Sequence, residues 1–326
     1  MTITRRWLSA ALAACALASP ASAQTYPTRP ITLVVPFAAG GPSDAIARLV
    51  GQSMSGTLGQ QVVIENVAGA GGTVGAARTA KADPDGYTLL IAHIALPASA
   101  SLYRTLPYDT ATAFEPLGLV NFGPMTLVTR KGYPADDIKG LFAKLKEDGP
   151  KTTYAHAGIG SNAHLCGLLL QQALGTKFTE VAYRGTGPAM NDLVGGQVDF
   201  ICDQTTNSVP QIDAKTIKGF AVTSANRLDV LKDLPTLQEA GLPGFEFVIW
   251  HALYAPKGTP APIVAALNRA LRIAVTDPTI RSRFAAVGTD VYPEAELTPE
   301  AHRARFQKEI ATWREVVAKS GVSVGN

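Results

Sequence analysis

The chain has 326 residues, of which 46% are hydrophobic and 17% charged, with a formal net charge of +3. So balanced a charge, with no basic run, argues against nucleic acid as a partner. Past the N-terminal region no run is long and apolar enough to cross a bilayer: the longest candidate, Leu89 to Ala98, is broken by His93 and Pro97.

The first 23 residues read as an export signal. Arg5 and Arg6 give a positive start, Trp7 to Leu17 a short apolar run, and Ala21-Ser22-Ala23 a small-x-small cleavage site. The expected product begins at Gln24 and is periplasmic. Leu12-Ala13-Ala14-Cys15 resembles a lipoprotein box, and Arg5-Arg6-Trp7-Leu8 a twin-arginine signal. A cut at Cys15 would leave the apolar tail Ala16 to Ala23 without purpose, so simple export ranks ahead of lipidation. Cleavage leaves 326 − 23 = 303 residues and takes the charge from +3 to +1. That length exceeds one typical core and points to two domains.

Ile31 to Val35 is a strand that runs into Pro36-Phe37 and the small-residue turn Ala38-Ala39-Gly40-Gly41. Pro42, Ser43 and Asp44 then open an amphipathic helix. A strand ending in glycines at a helix N-terminus presents free N–H groups and the positive end of the helix dipole, which suit an anion. A plain βα turn has the same composition. Further strands are expected at Gln61–Glu65, Tyr87–Ile91, Leu117–Val120, Met125–Thr129, Thr152–Ala155, Thr179–Tyr183, Val198–Cys202 and Lys218–Ser224. Phe245 to Tyr254 is extended and aromatic. Helices are expected at Ala76–Ala82, Ile138–Lys146, Asn162–Leu174, Pro188–Val194, Pro262–Thr276, Pro278–Val287 and Pro299–Ser320. Strands alternating with helices imply an α/β fold with mostly parallel sheets.

The stretches around Val120–Thr129 and Phe247–Ala255 read as crossings between domains. A chain that leaves a first domain once and returns once gives lobe 1 from residues 24–124 and 251–326 and lobe 2 from residues 125–250, with the ligand in the cleft between.

Two more strand–glycine–helix junctions support an anion or polar ligand. One is His156-Ala157-Gly158-Ile159-Gly160-Ser161-Asn162-Ala163-His164, with Ser161 or Asn162 as helix cap. The other is Tyr183-Arg184-Gly185-Thr186-Gly187-Pro188, whose Arg184 could fork a carboxylate. One charge-assisted hydrogen bond is worth about 1.5–3 kcal/mol, and micromolar affinity needs about 8 kcal/mol. Three or four such contacts plus some apolar burial reach it without a metal or a cluster of cations.

Other chemistry fits less well. Gly158-x-Gly160-Ser161 is not the G-x-S-x-G nucleophile elbow, so a secreted hydrolase using Ser161 and His164 is the alternative reading. Gly69-x-Gly71-x-x-x-Gly75 is one residue too long for a dinucleotide fingerprint. The five histidines, His93, His156, His164, His251 and His302, show no zinc spacing, and no cofactor is expected. Cys166 and Cys202 fit no metal motif either. Export would allow them to oxidise, but two small buried hydrophobes is the favoured reading over a disulfide.

The ordered motifs resemble the substrate-binding proteins of tripartite tricarboxylate transporters, the Bug family. They are Tyr26-Pro27…Pro30-Ile31, Val35-Pro36-Phe37-x-x-Gly40-Gly41-x-x-Asp44, Glu65-Asn66…Gly69-Ala70-Gly71-Gly72 and Asp83-Pro84-Asp85-Gly86-Tyr87-Thr88, followed by Gly158-x-Gly160-Ser161-x-x-His164-Leu165, Tyr183-Arg184-Gly185 and Gly195-Gly196-Gln197-Val198-Asp199, and finally Leu234-Pro235-Thr236…Gly244 and Ala255-Pro256-x-Gly258-Thr259-Pro260. The resemblance implies the type II periplasmic binding protein fold, two α/β lobes joined by two crossover strands and closing on a ligand. It implies a carboxylate or amide ligand, delivery to a membrane permease or a sensor kinase, a monomer, and no catalysis. On it, the loop with Phe37, Ala38, Ala39, Gly40 and Ser43 meets the ligand from lobe 1. Gly160, Ser161, Asn162, Ala163, His164, Tyr183, Arg184, Gly185 and Asp203 meet it from lobe 2. The sequence departs from the family at Ala92-His93-Ile94-Ala95, where a hydroxyl-rich turn is usual, and at Asn162-Ala163, where Ser-Thr is common. His93 therefore joins the candidate set as a replacement contact.

Overall fold

The computed structural model describes residues 26–320, so the expected export signal, its cut after Ala23 and Cys15 lie outside the described residues. The first unit is β1 (Ile31–Val35), α1 (Pro42–Leu58), β2 (Val62–Asn66), α2 (Thr73–Ala80), β3 (Thr88–His93) and α3 (Ala95–Leu102). β1 lies between β2 and β3, parallel to both. Ile31, Leu33, Val34 and Val35 are fully buried, as a strand covered on both faces requires. α1 takes Pro42 in its first turn, where the missing N–H is not needed, and ends at Gly59 in the left-handed region (φ 68°).

β4 (Phe114–Arg130) is one 17-residue strand, not the two strands expected at Leu117–Val120 and Met125–Thr129. Its first part, to Pro124, pairs antiparallel with β9 (Val248–Pro256), which itself pairs with β3. From Met125 it pairs with β7 (Phe200–Gln204) and β8 (Ile217–Val222). The single strand thus passes from one sheet region into the next. Gly118 (φ 151°) and two register shifts absorb the bend, and the buried Asn268 amide holds the Leu117 carbonyl at 2.7 Å. Pro116 and Gly118 flank one of these irregularities, whereas Gly123 and Pro124 pair in register with Ile249 and Val248.

The second region adds α4 (Ile138–Asp148), β5 (Thr153–His156), α5 (Asn162–Leu174), β6 (Thr179–Ala182), α6 (Thr186–Val194) and α7 (Thr205–Asp213). β5 is parallel to β6 and β7. The chain returns through β9 and closes with α8 (Ala261–Thr276), α9 (Pro278–Ala285) and α10 (Pro299–Ser320). α8 packs on α1, and α10 on α3 and β4. Among the described residues the strand order is β2-β1-β3-β9-β4-β7-β5-β6, with β8 on β4. The sheets are therefore mixed rather than mostly parallel, because the two crossing strands run against their neighbours.

Two helices were not expected. α3 carries Pro97 in its first turn, where proline is tolerated, and α7 carries Pro210 within it. The reading of Cys166 and Cys202 as separate buried hydrophobes is corrected: they form a disulfide. α5 lies on β7, which brings together two residues 36 apart in sequence.

Candidate functional site

The ends of β1, β3, β5 and β7 point at one pocket, where α1, α5 and α6 begin. It is a tight space, partly open to solvent. Its wall is Phe37, Ala38, Gly41, Pro42, Ser43, Asp44 and His93 from one side, and Met125, Ala157, Ser161, Asn162, Ala163, Thr186, Asp203 and Gln204 from the other. Eight of the expected contacts line it: Phe37, Ala38, Ser43, His93, Ser161, Asn162, Ala163 and Asp203.

Three helix N-termini face this space. In α5, Ser161 is the cap. Its hydroxyl accepts from the His164 N–H at 3.3 Å and its carbonyl from Leu165 at 2.9 Å, which leaves the N–H groups of Asn162 and Ala163 without an intrahelical acceptor. In α1, Ala45 donates to the Gly41 carbonyl at 3.1 Å, which leaves those of Ser43 and Asp44. α6 starts at Gly185 with no side-chain cap. No Lys or Arg among the described residues lines the pocket. Positive potential there comes from backbone dipoles.

The acids in the wall are controlled separately. Burial alone would raise the Asp44 carboxyl, but hydrogen bonds from Arg48, the Gly40 N–H and Asn66, with the Arg48 charge, hold it below its ordinary value. Arg48 grips it from outside through two bonds of 3.0 Å. Asp203 has no such cation. Burial pushes it up to about 6, against hydrogen bonds from Asn207, the Gln204 N–H and Thr186. At neutral pH it presents a carboxylate to the pocket that lacks an ionic partner.

The floor is a ring of buried polar groups. His93 and His251 face each other across the β3–β9 register, their ring centroids 5.4 Å apart. The Ser43 hydroxyl lies 3.0 Å from His251 Nε2. The Ala95 N–H donates to His93 Nδ1 at 3.2 Å, so the proton of neutral His93 sits on Nε2. Burial, then the neighbouring His251, keeps His93 well below the usual histidine range, and burial takes His251 down to about 3. His93 also stacks on Phe37 with centroids 4.9 Å apart.

The two walls touch around the pocket. The Ala38 N–H donates to the Arg184 carbonyl at 2.9 Å. The Tyr103 hydroxyl is 2.8 Å from the carbonyls of both Ala70 and Ile159. Gly71 and Gly187 fit against opposing backbone with no room for a side chain: a Cβ would fall 1.9 Å from the Ile159 oxygen and 2.8 Å from the Ala39 oxygen.

The remaining candidates sit outside the pocket wall. Ala39 and Gly40 are exposed at the turn, where the Gly40 N–H fixes Asp44 at 3.0 Å. The Gly160 N–H donates to His164 Nδ1 at 3.2 Å, and the Gly158 N–H to His156 Nδ1 at 3.1 Å. Two imidazoles therefore shape the loop 157–161 as acceptors. Their other nitrogens both approach Glu180, at 3.8 Å. His164 meets Ser161 through its backbone N–H, and its ring lies against His156, so these two residues do not form a nucleophile–base pair. The Tyr183 hydroxyl donates to Asp192 at 2.7 Å. Gly185 packs against Ala38. The Arg184 side chain is exposed and makes no hydrogen bond or ion pair among the described residues. In this arrangement it contributes its carbonyl, not the carboxylate fork suggested by its residue type.

A family model described as the tripartite tricarboxylate transporter family receptor matches residues 46–322. The chain belongs to this receptor family. A protein of Agrobacterium vitis, named for the TAR-I ttuE-ttuC' intergenic region, is 49% identical over 317 residues, covering 97% of this chain and 92% of that one. The solved structure of the periplasmic binding protein BugD is 46% identical, covers 91% of this chain and 99% of its own, and superposes with a TM-score of 0.89. That of MatC from Rhodopseudomonas palustris with bound malate is 41% identical, covers 90% and 100%, and gives 0.87. The fold is that of the two-lobed periplasmic binding proteins. Within this receptor fold, Asp44, Met125, Ala157, Thr186 and Gln204 line the pocket without having been expected as contacts. Gln204 follows Asp203 directly, and Thr186 would have been found had α6 been started at its glycine cap.

Proposed function

We propose that this receptor captures a small carboxylate that also carries a hydroxyl or ammonium group, and delivers it to a tripartite-type membrane permease. The observation that carries the reading is the convergence of three helix N-termini on a pocket without a cation, beside the unpaired Asp203. The carboxylate takes the N–H groups of Asn162 and Ala163 and the Ser161 and Ser43 hydroxyls, and the donor group turns to Asp203. That MatC binds malate, a hydroxy dicarboxylate, supports this class.

Residues 24–124 and 251–326 act as one lobe and residues 125–250 as the other. The cleft closes by bending where β4 and β9 cross, and the Ala38–Arg184 and Tyr103–Ile159 contacts form on closure. The chain is exported with cleavage after Ala23 and works as a monomer without catalysis.

Isothermal titration tests the ligand class. Protein unfolded and refolded to strip carried ligand is titrated with malate, lactate and aspartate, and at least one is expected to bind with Kd in the micromolar range. Binding at 100 times Kd adds about 2.7 kcal/mol of stability, readily seen as a thermal shift. Absence of binding by all three, with binding of an uncharged solute, would overturn the proposal.

A further inference from the structure

Ser43 lines the ligand pocket, and behind it stands His251, which is not part of the pocket wall. Ser43 lies in the first turn of α1, where its backbone N–H is one of the free donors. Its Oγ is 3.0 Å from His251 Nε2, and both residues are buried. A hydroxyl paired with a neutral imidazole can be held in either of two senses. With the imidazole proton on Nε2, the ring donates to Oγ, and the Ser43 O–H is free for the ligand. With that proton on Nδ1, Nε2 accepts the Ser43 O–H, and the pocket meets only an oxygen lone pair. The first sense suits a carboxylate and the second repels one.

The surroundings of His251 decide between them. The ring is fully buried, and burial takes it down to about 3, so it is neutral at pH 7. Nδ1 has no hydrogen-bond partner among the described residues. Asn121 stands opposite in the β4–β9 register, yet both atoms of its amide are also without a partner. His93, opposite on β3, meets the ring edge-on, with centroids 5.4 Å apart. A proton on Nδ1 would be a buried N–H without an acceptor, which folded proteins avoid more strictly than an idle lone pair. A proton on Nε2 has the Ser43 oxygen to meet. The Ser43 O–H then turns to the ligand, where a bond to a carboxylate is charge-assisted.

We infer that His251 is a positioning residue of the ligand site: it holds its proton on Nε2, donates it to Ser43, and so turns the Ser43 hydroxyl proton into the pocket as a donor to the ligand carboxylate. This rests on the carboxylate reading above. Ser43 then offers two donors, its N–H and its O–H, and an imidazole outside the pocket wall sets the preference for an acceptor.

Long-range proton–nitrogen NMR of the full chain at pH 7 reads the tautomer without any variant. Nδ1 of His93, His156, His164 and His302 accepts from the N–H of Ala95, Gly158, Gly160 and Gly118, so those four rings carry their proton on Nε2. All five histidines are therefore expected to show Nε2–H, and an Nδ1–H signal would belong to His251. Titration with malate, lactate and aspartate then tests the path through Ser43. For each acid that binds, Ser43→Ala should weaken binding about tenfold and His251→Leu about threefold to tenfold. The double variant should bind within about threefold of Ser43→Ala, because His251 acts through that hydroxyl. His251→Gln, which keeps an N–H donor, should stay within about threefold of wild type. An Nδ1–H signal, losses that multiply in the double variant, or His251→Gln as weak as Ser43→Ala overturns the role of His251 alone. The NMR signal decides even if His251→Leu does not fold. No binding by any of the three acids overturns the carboxylate reading and this role with it.

Discussion

Gly187→Ala separates closing from folding. Gly187 lies in the first turn of α6, with ordinary helical backbone, so alanine there should stabilise the helix by about 0.5–1 kcal/mol. Across the cleft, however, its Cβ would lie 2.8 Å from the Ala39 oxygen, 2.8 Å from the Gly40 carbonyl carbon and 2.9 Å from the Gly41 nitrogen. All three are backbone atoms of the opposing turn and cannot step aside as a flexible side chain would. Closure must stop short. That forfeits the Ala38–Arg184 hydrogen bond, worth about 0.5–1.5 kcal/mol, and one charge-assisted contact from a helix N-terminus to the ligand, worth about 1.5–3 kcal/mol. The expected loss is about 2–4 kcal/mol, or 30-fold to 1,000-fold in Kd at 1.4 kcal/mol per decade. Titration reads the affinity, thermal melting the stability, and small-angle scattering the compaction on adding ligand. An affinity within threefold of wild type, with normal compaction, would refute the view that these backbone contacts belong to the ligand-bound state.

Arg184→Ala should leave affinity within about twofold, since the side chain lies outside the pocket; a loss of tenfold or more by titration would restore the carboxylate fork. In the wild type, affinity for aspartate should rise between pH 5 and 7, as Asp203 ionises through about 6 and accepts the ammonium. Asp203→Asn should weaken binding and flatten that profile, and an unchanged profile would remove Asp203 from the site. All five histidines are pushed below their ordinary value by burial, so between about pH 6.5 and their folded values the unfolded chain holds more protons. Asp203, raised on folding, opposes this with one group over the lower part of that range. Melting temperature should therefore fall as pH drops from 7 to 4.5, and a flat or rising curve would contradict it. Replacing Cys166 and Cys202 with alanine should lower stability by about 3–4 kcal/mol, from the loop of 36 residues, in denaturant unfolding.

Much of this was legible in the sequence wherever a local rule sets the outcome. α5 begins and ends as expected because Ser161 caps it and Gly175 takes the left-handed turn. The three glycine loops, read separately, each fitted a plain turn, and only the fold shows them opposed across one pocket. The misses are tertiary. Arg184 looked like a ligand residue by type, but the path of the chain out of β6 turns its side chain to solvent. The short helix α3 was not expected, and Pro97 in its first turn costs it no hydrogen bond. Thirty-six residues of sequence give no sign that α5 folds back onto β7 and brings Cys166 to Cys202.

The central claim is that backbone dipoles, not a cation, hold a carboxylate. Titrating refolded protein with an acid that binds, and with the primary amide of the same acid, tests it most directly. The account predicts that the acid binds at least 100-fold more tightly than its amide, and keeps that advantage in Arg184→Ala. Equal affinity for acid and amide, or an advantage that disappears with Arg184, would contradict it.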